Sequence, residues 1–155
     1  MKNRSFFQSL LSAAKGFLRA LKAERNLRID VVIALLVLIF AYAYDLDSAG
    51  YAVLAFTICA VMAAELFNTS VERLSNAVTE EYNEKIGAAK DIAAAAVIIT
   101  ALGAAAVGAA LFLLDTEKLI MAVLDIAFSP RALSAIAVTL VLGVIFVLKY
   151  KERNK

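Results

Sequence analysis

Ala64-Glu-Leu-Phe-Asn-Thr-Ser-Val-Glu-Arg-Leu-Ser-Asn76 places Glu65, Asn68, Glu72 and Asn76 in a segment that grows out of a long apolar run. Successive residues of an α-helix are about 100° apart, so Asn68, Glu72 and Asn76 fall at roughly −60°, −20° and +20° from Glu65. All four share one face. A carboxylate inside apolar sequence long enough to enter a bilayer is costly and marks a functional position. The stripe therefore reads as an active-site face. Along the helix axis Glu65 lies about 10 Å deeper than Glu72, which suggests two tasks at two depths.

The rest of the chain supplies the membrane. Of 155 residues 63% are apolar, with one proline and no tryptophan, and the mean hydropathy is +0.80. Such a composition has too little polar surface to cover its apolar groups, so lipid must do part of the solvating. The expected class is an all-α integral membrane protein of one domain. The net charge of +2 hides an asymmetry, because Lys2, Arg4, Lys15, Arg19, Lys22, Arg25 and Arg28 precede the first apolar run, opposed by Glu24 and Asp30. Beside a membrane span this basic density reads as a cytoplasmic, lipid-facing anchor and not as a nucleic-acid surface. Ala41-Tyr-Ala43 looks like a signal-peptide cleavage site, but the leader is too long and too amphipathic, so an uncleaved span is expected. Cys59 stands alone in an apolar run, where a small buried hydrophobe is the expected role. Histidine is absent. Any general base must then be Asp, Glu, Lys or Tyr.

From 5 to 23, Phe7, Leu10, Leu11, Ala14, Phe17, Leu18 and Leu21 recur at helical spacing, with Gln8, Ser12, Lys15, Arg19 and Lys22 opposite. This pattern predicts an amphipathic surface helix in the headgroup layer. Spans are expected at about 29–46, 49–71 and 92–114, with a fourth at 132–148. Tyr42 and Tyr44 would be interfacial anchors, and Asp45, Asp47, Ser48 and Gly50 a tight outer turn. A polar loop is expected from Thr79 to Ala89, and an outer loop with a short interfacial helix between Asp115 and Pro130. Ala96, Thr100, Ala104 and Gly108 recur every fourth residue, a small-residue ladder that suits close helix packing. Four spans place both basic termini on one side, the cytoplasmic one by the positive-inside rule.

A carboxylate near the lipid boundary, such as Glu65, can take a proton from a lipid alcohol. One nearer water, such as Glu72, can join a Mg²⁺ ion that also keeps phosphate oxygens and waters. Asn68 between them can orient a phosphate or a metal-bound water. Lys90 is expected at the start of the third span, where free N–H groups favour anions, as a phosphate clamp. Asp91 beside it reads equally as an N-cap or as a metal or nucleotide contact. Glu24-Arg25-Asn26 brings another acid to the same rim. The bland reading of the stripe is a polar seal between helices, or solvated residues in the case of Glu72 and Asn76. Glu65 and Asn68 resist it, since apolar sequence flanks both. No Walker-type phosphate loop is found.

Ala64-Glu-Leu-Phe-Asn-Thr-Ser-Val-Glu72 with Arg73, then Glu81-Tyr82 and Lys90-Asp91-Ile-Ala-Ala, resemble the prokaryotic diacylglycerol kinase and undecaprenol kinase family. Lys15-Gly16 and Glu24-Arg25-Asn26 upstream fit the same pattern in order. The resemblance covers about 5 to 114. It implies a kinase domain over 1–114, with a surface helix and three spans, and leaves 115–155 as a C-terminal extension. It further implies transfer of the γ-phosphoryl group of MgATP to a membrane lipid alcohol, undecaprenol before diacylglycerol, by a homotrimer in the bacterial cytoplasmic membrane with its active site on the cytoplasmic side. By motif, Glu65 is then the general base and Asn68 an active-site ligand. Glu24 and Glu72 bind the metal, Lys90 and Asp91 face the nucleotide phosphates, and Glu81, Tyr82 and Gly87 line the nucleotide region.

Two departures stand out. Asn76 replaces the family's usual Asp, which keeps hydrogen bonding but removes a charge, and the tail beyond Leu114 exceeds the family's usual length. A rival from another class is a small four-helix proton-coupled transporter using Glu65. That rival would set its Glu near mid-membrane and has no need of Lys90-Asp91 at a helix start. A catalytically silent subunit is a third reading, suggested by Asn76.

Overall fold

The computed structural model describes residues 5–78, 81 and 83–149, and all its regular structure is helical. Six helices follow in order: α1 Phe6–Ala23, α2 Arg25–Ala43, α3 Ser48–Val78, α4 Glu84–Phe112, α5 Thr116–Phe128 and α6 Pro130–Lys149. Of these, α2, α3, α4 and α6 are long and apolar enough to cross a membrane.

Local chemistry sets the helix ends. Ser5 caps α1 in a reciprocal box: its hydroxyl accepts from the Gln8 N–H at 3.3 Å, and the Gln8 side chain accepts from the Ser5 N–H at 3.2 Å. Glu24 alone joins α1 to α2, with extended backbone at φ −97° and ψ 122°. Asp45 takes φ 51° in the turn after α2. Asp47 then starts α3, its carboxylate accepting from the Gly50 N–H at 2.7 Å. A Cβ on Gly50 would lie 2.7 Å from Leu46 Cγ, so only glycine lets the chain reverse this tightly. Pro130 opens α6 at the first helical position, where its missing N–H costs nothing.

Packing runs sideways. α3 lies along α4, α2 along both α3 and α6, and α5 closes against α2 and α6. At the end carrying the α2–α3 turn, Phe112 meets Phe40 and Tyr44 edge-on, with ring centroids 5.1 and 5.2 Å apart. Tyr44 is thus buried in a core with Ala41, Leu54 and Ala122 and is no interfacial anchor, whereas Tyr42 is exposed. Most large apolar side chains face outward, among them Phe56, Leu102 and Leu142. That outward apolar surface requires a lipid solvent.

Two boundaries differ from the expected ones. α2 begins at Arg25, not near 29, because the extended Glu24 lets a new helix start at once. α4 begins at Glu84, not 92, since Asn83 accepts from the N–H groups of Lys85 and Ile86 at 3.0 and 3.2 Å. The expected polar loop therefore ends before Glu84. Cys59 lies exposed on α3, and not buried, since no partner covers it among the described residues. The ladder of small residues does not pack tightly either: a Cβ on Gly108 would meet nothing within 4 Å.

Candidate active site

α3 carries the polar stripe as one uninterrupted helix from Ser48 to Val78. Glu65 is buried, 6% exposed, and Thr69 one turn on is buried with it. Asn68 and Glu72 are half-buried, while Asn76 is exposed. The Asn68 amide Nδ2 donates to Glu72 Oε1 at 3.3 Å, the i, i+4 pairing that helix geometry permits. That donation leaves Asn68 Oδ1 buried with no hydrogen-bond partner among the described residues. An orphan carbonyl oxygen beside a carboxylate is a receptor for a cation or an O–H group.

The α1–α2 joint closes on this face. Glu24 Oε1 lies 3.4 Å from Arg73 Nη2, so the joint is tied to α3 one residue past Glu72. Asp30 adds a carboxylate from α2, and its Oδ2 is buried without a hydrogen-bond partner among the described residues. Asp30, Glu24 and Glu72 all act electrostatically on Glu65. Acids of α3, α2 and the α1–α2 joint thus lie within electrostatic reach of Glu65, and negative charge so gathered attracts a cation.

Among the described residues, no three Asp, Glu, His or Cys side chains come close enough to hold a metal by themselves. Mg²⁺ does not need three, because it binds through one or two carboxylates plus phosphate oxygens and waters. The donors present here are all oxygens, the set that suits Mg²⁺. With the orphaned Asn68 Oδ1 they fit the group.

An apolar cleft of about 410 Å³ runs between α2, α3 and α4, and Asp30 is the ionisable group among its lining residues. Its α3 wall is formed by Leu54, Ile58 and Val61. Steps of three and four residues carry that row straight on to Glu65. Ala104 and Gly108 form the facing wall on α4, so the small-residue ladder borders a space and does not seal a contact. A long apolar chain could lie there with its polar end at the acids.

Lys90 is half-buried and sits well inside α4, not at its start. Its own N–H is committed within the helix, and the helix start lies instead at Glu84, where the Asn83 side chain takes the N–H groups of Lys85 and Ile86. Asp91 is exposed within the same helix, which removes the N-cap reading. Gly87 lies in the first turn of α4, its N–H donating to the Asn83 carbonyl at 2.9 Å, and not in a loop. Glu81 is exposed, and Tyr82 lies outside the described residues. Sequence reading passed over Asp30 and Arg28 as members of a basic leader. Their signal was position: both follow Glu24 by about one or two helical turns.

The prokaryotic diacylglycerol kinase family profile matches residues 11–112. An undecaprenol kinase of Bacillus subtilis is 30% identical over 108 residues, covering 70% of this chain and 88% of that protein. A diacylglycerol kinase of Synechocystis is 38% identical over 99 residues, 63% of this chain and 57% of its own length. That of Escherichia coli K12 is 32% identical over 101 residues, 63% and 83% of the two chains. No solved structure matches. With the carboxylates of the stripe lying inside the matched region, the chain belongs to the prokaryotic diacylglycerol kinase family.

Proposed function

We propose that this protein is a lipid kinase that moves the γ-phosphoryl group of MgATP to the hydroxyl of undecaprenol or diacylglycerol. The carrying observation is a buried carboxylate, Glu65, one turn past Val61 in the α3 wall of an apolar cleft that Asp30 also lines, with Asn68 and Glu72 one and two turns further on. Family membership supplies the reaction class, and the relatives' names supply the two lipids. Family membership also disfavours the transporter, although Lys90 lies inside α4 and not at its start.

Glu65 accepts the proton of the lipid hydroxyl as its oxygen attacks the γ-phosphorus. The bond from that phosphorus to the β–γ bridging oxygen breaks, and ADP leaves with the electron pair. Mg²⁺ would neutralise charge on the transferring phosphate, and Glu24, Glu72 and the Asn68 carbonyl would hold it. Lys90 and Asp91 would face the nucleotide phosphates, and Glu81, Tyr82 and Gly87 would line the nucleotide region. The cleft receives the first part of the lipid chain and keeps its hydroxyl near Glu65. Undecaprenol is the preferred substrate: its single chain suits one narrow cleft, and a relative of that name is matched over 88% of its length.

The proposed kinase domain is 1–114, with 115–155 as an extension, supported by a family match over 11–112. A homotrimer in a bacterial cytoplasmic membrane, with both termini and the acids on the cytoplasmic side, completes the reading. The deciding experiment reconstitutes purified protein with labelled ATP and Mg²⁺ and offers undecaprenol and diacylglycerol separately. Label is expected in undecaprenyl phosphate first. Label in neither lipid overturns the proposal.

A further inference from the structure

Arg28 gathers two helices. Its Nη1 donates to the carbonyls of Leu21 and Lys22 at 3.2 and 2.9 Å, and its Nη2 donates to the carbonyl of Val147 at 3.3 Å. Val147 belongs to α6, and the Leu21 and Lys22 carbonyls lie in the last turn of α1. There carbonyls lack an intrahelical donor and carry the negative end of the helix dipole. The Arg28 side chain is 3% exposed, and a buried guanidinium persists only when its N–H groups are satisfied. One cation thus ties the C-terminus of α1 to α6.

Two further contacts hold the C-terminal hairpin to α2 at other depths. A Cβ on Gly143 of α6 would fall 2.8 Å from Val32 Cγ1, so the helices touch where glycine leaves room. At the opposite end Lys118 Nζ donates to the Asp45 carbonyl at 2.9 Å and stands 4.9 Å over the Tyr44 ring. This fastening belongs to the part of the chain beyond the family match at 11–112.

We propose that the C-terminal span is a working part of the kinase: α6, through Arg28, fixes the end of α1 and with it the reach of Glu24 toward α3. Glu24 directly follows α1 as its C-cap, and its carboxylate meets Arg73. A loosened α6 frees one anchor of Arg28, lets the α1 end swing, and withdraws Glu24 from Asn68 and Glu72. Arg28 is a positioning residue, remote from the reactants. This inference rests on the role given to Glu24 in the lipid-kinase reading.

Two readouts test it in the full chain in lipid vesicles, neither of them turnover. Spin labels at Arg19→Cys and Ala77→Cys, in a Cys59→Ser background, report the α1–α3 distance distribution. Electron paramagnetic resonance titration of Mn²⁺ with a non-hydrolysable ATP analogue reports ion affinity. Gly143→Leu, which forces α6 off Val32, is expected to broaden the distance distribution and weaken Mn²⁺ binding about tenfold. Arg28→Lys should do the same, since an ammonium cannot fork across two helices. The double variant should be no worse than either single one, because both cut one linkage. Adding Val32→Ala to Gly143→Ala should restore both signals, which separates the linkage from a general loss of folding. An unchanged distance distribution and Mn²⁺ affinity in Gly143→Leu would overturn the proposal, as would effects that multiply in the double variant. Wild-type protein that binds the ion but phosphorylates no lipid would instead sink the kinase reading alone.

Discussion

Asn68 shows why the stripe mixes amides with acids. Its Nδ2 holds Glu72 while its Oδ1 stays available, two tasks that a carboxylate at this position cannot divide. The role proposed for Glu65 is the simpler one of proton acceptor. Glu65→Gln keeps the shape but removes the acceptor, so lipid phosphorylation should fall by about 10²- to 10⁴-fold. MgATP binding should be nearly unchanged; labelled-ATP turnover set against nucleotide binding checks the pair, and normal turnover would exclude Glu65 as the base. Glu72→Ala should raise the Mg²⁺ concentration for half-maximal rate about tenfold or more, in the range that altered metal surroundings produce. A Mg²⁺ titration identical to wild type would remove Glu72 from the metal site. Asn76 is exposed and contributes no charge.

Helix boundaries decide what the lysine on α4 can do. Asn83 moves the start of the helix back to Glu84, so Lys90 can meet a phosphate only through its side chain. Similar local chemistry governs the α2–α3 turn, where Gly50 touches Leu46. Gly50→Leu would overfill that contact and should cost about 1–3 kcal/mol, the usual penalty for overpacking. A lower unfolding midpoint in detergent checks it, with Gly16→Ala as the control, since a Cβ there meets nothing within 4 Å.

The bundle leaves its apolar faces to lipid and keeps one apolar cleft leading to its acids. Ala104→Phe would fill that cleft from α4. It should raise the apparent KM for undecaprenol about tenfold, a change of about 1.4 kcal/mol, with the KM for MgATP unmoved. Equal lipid kinetics in the variant would show that the chain binds elsewhere. The membrane class, the four spans and the chemical stripe were legible because hydropathy and helical period are properties of consecutive residues. Glu65, Asn68 and Glu72 needed only the angle between successive positions to be placed together. Asp30 and Arg28 did not show in that way, for each owes its role to partners far along the chain: Asp30 to Glu65, Arg28 to Val147. The burial of Tyr44 depended likewise on Phe112, supplied by another helix. Sequence determined which faces avoid water and which residues share a turn. Tertiary structure alone decided which helices converge on one guanidinium, because orphan carbonyls seek any donor that packing brings within reach.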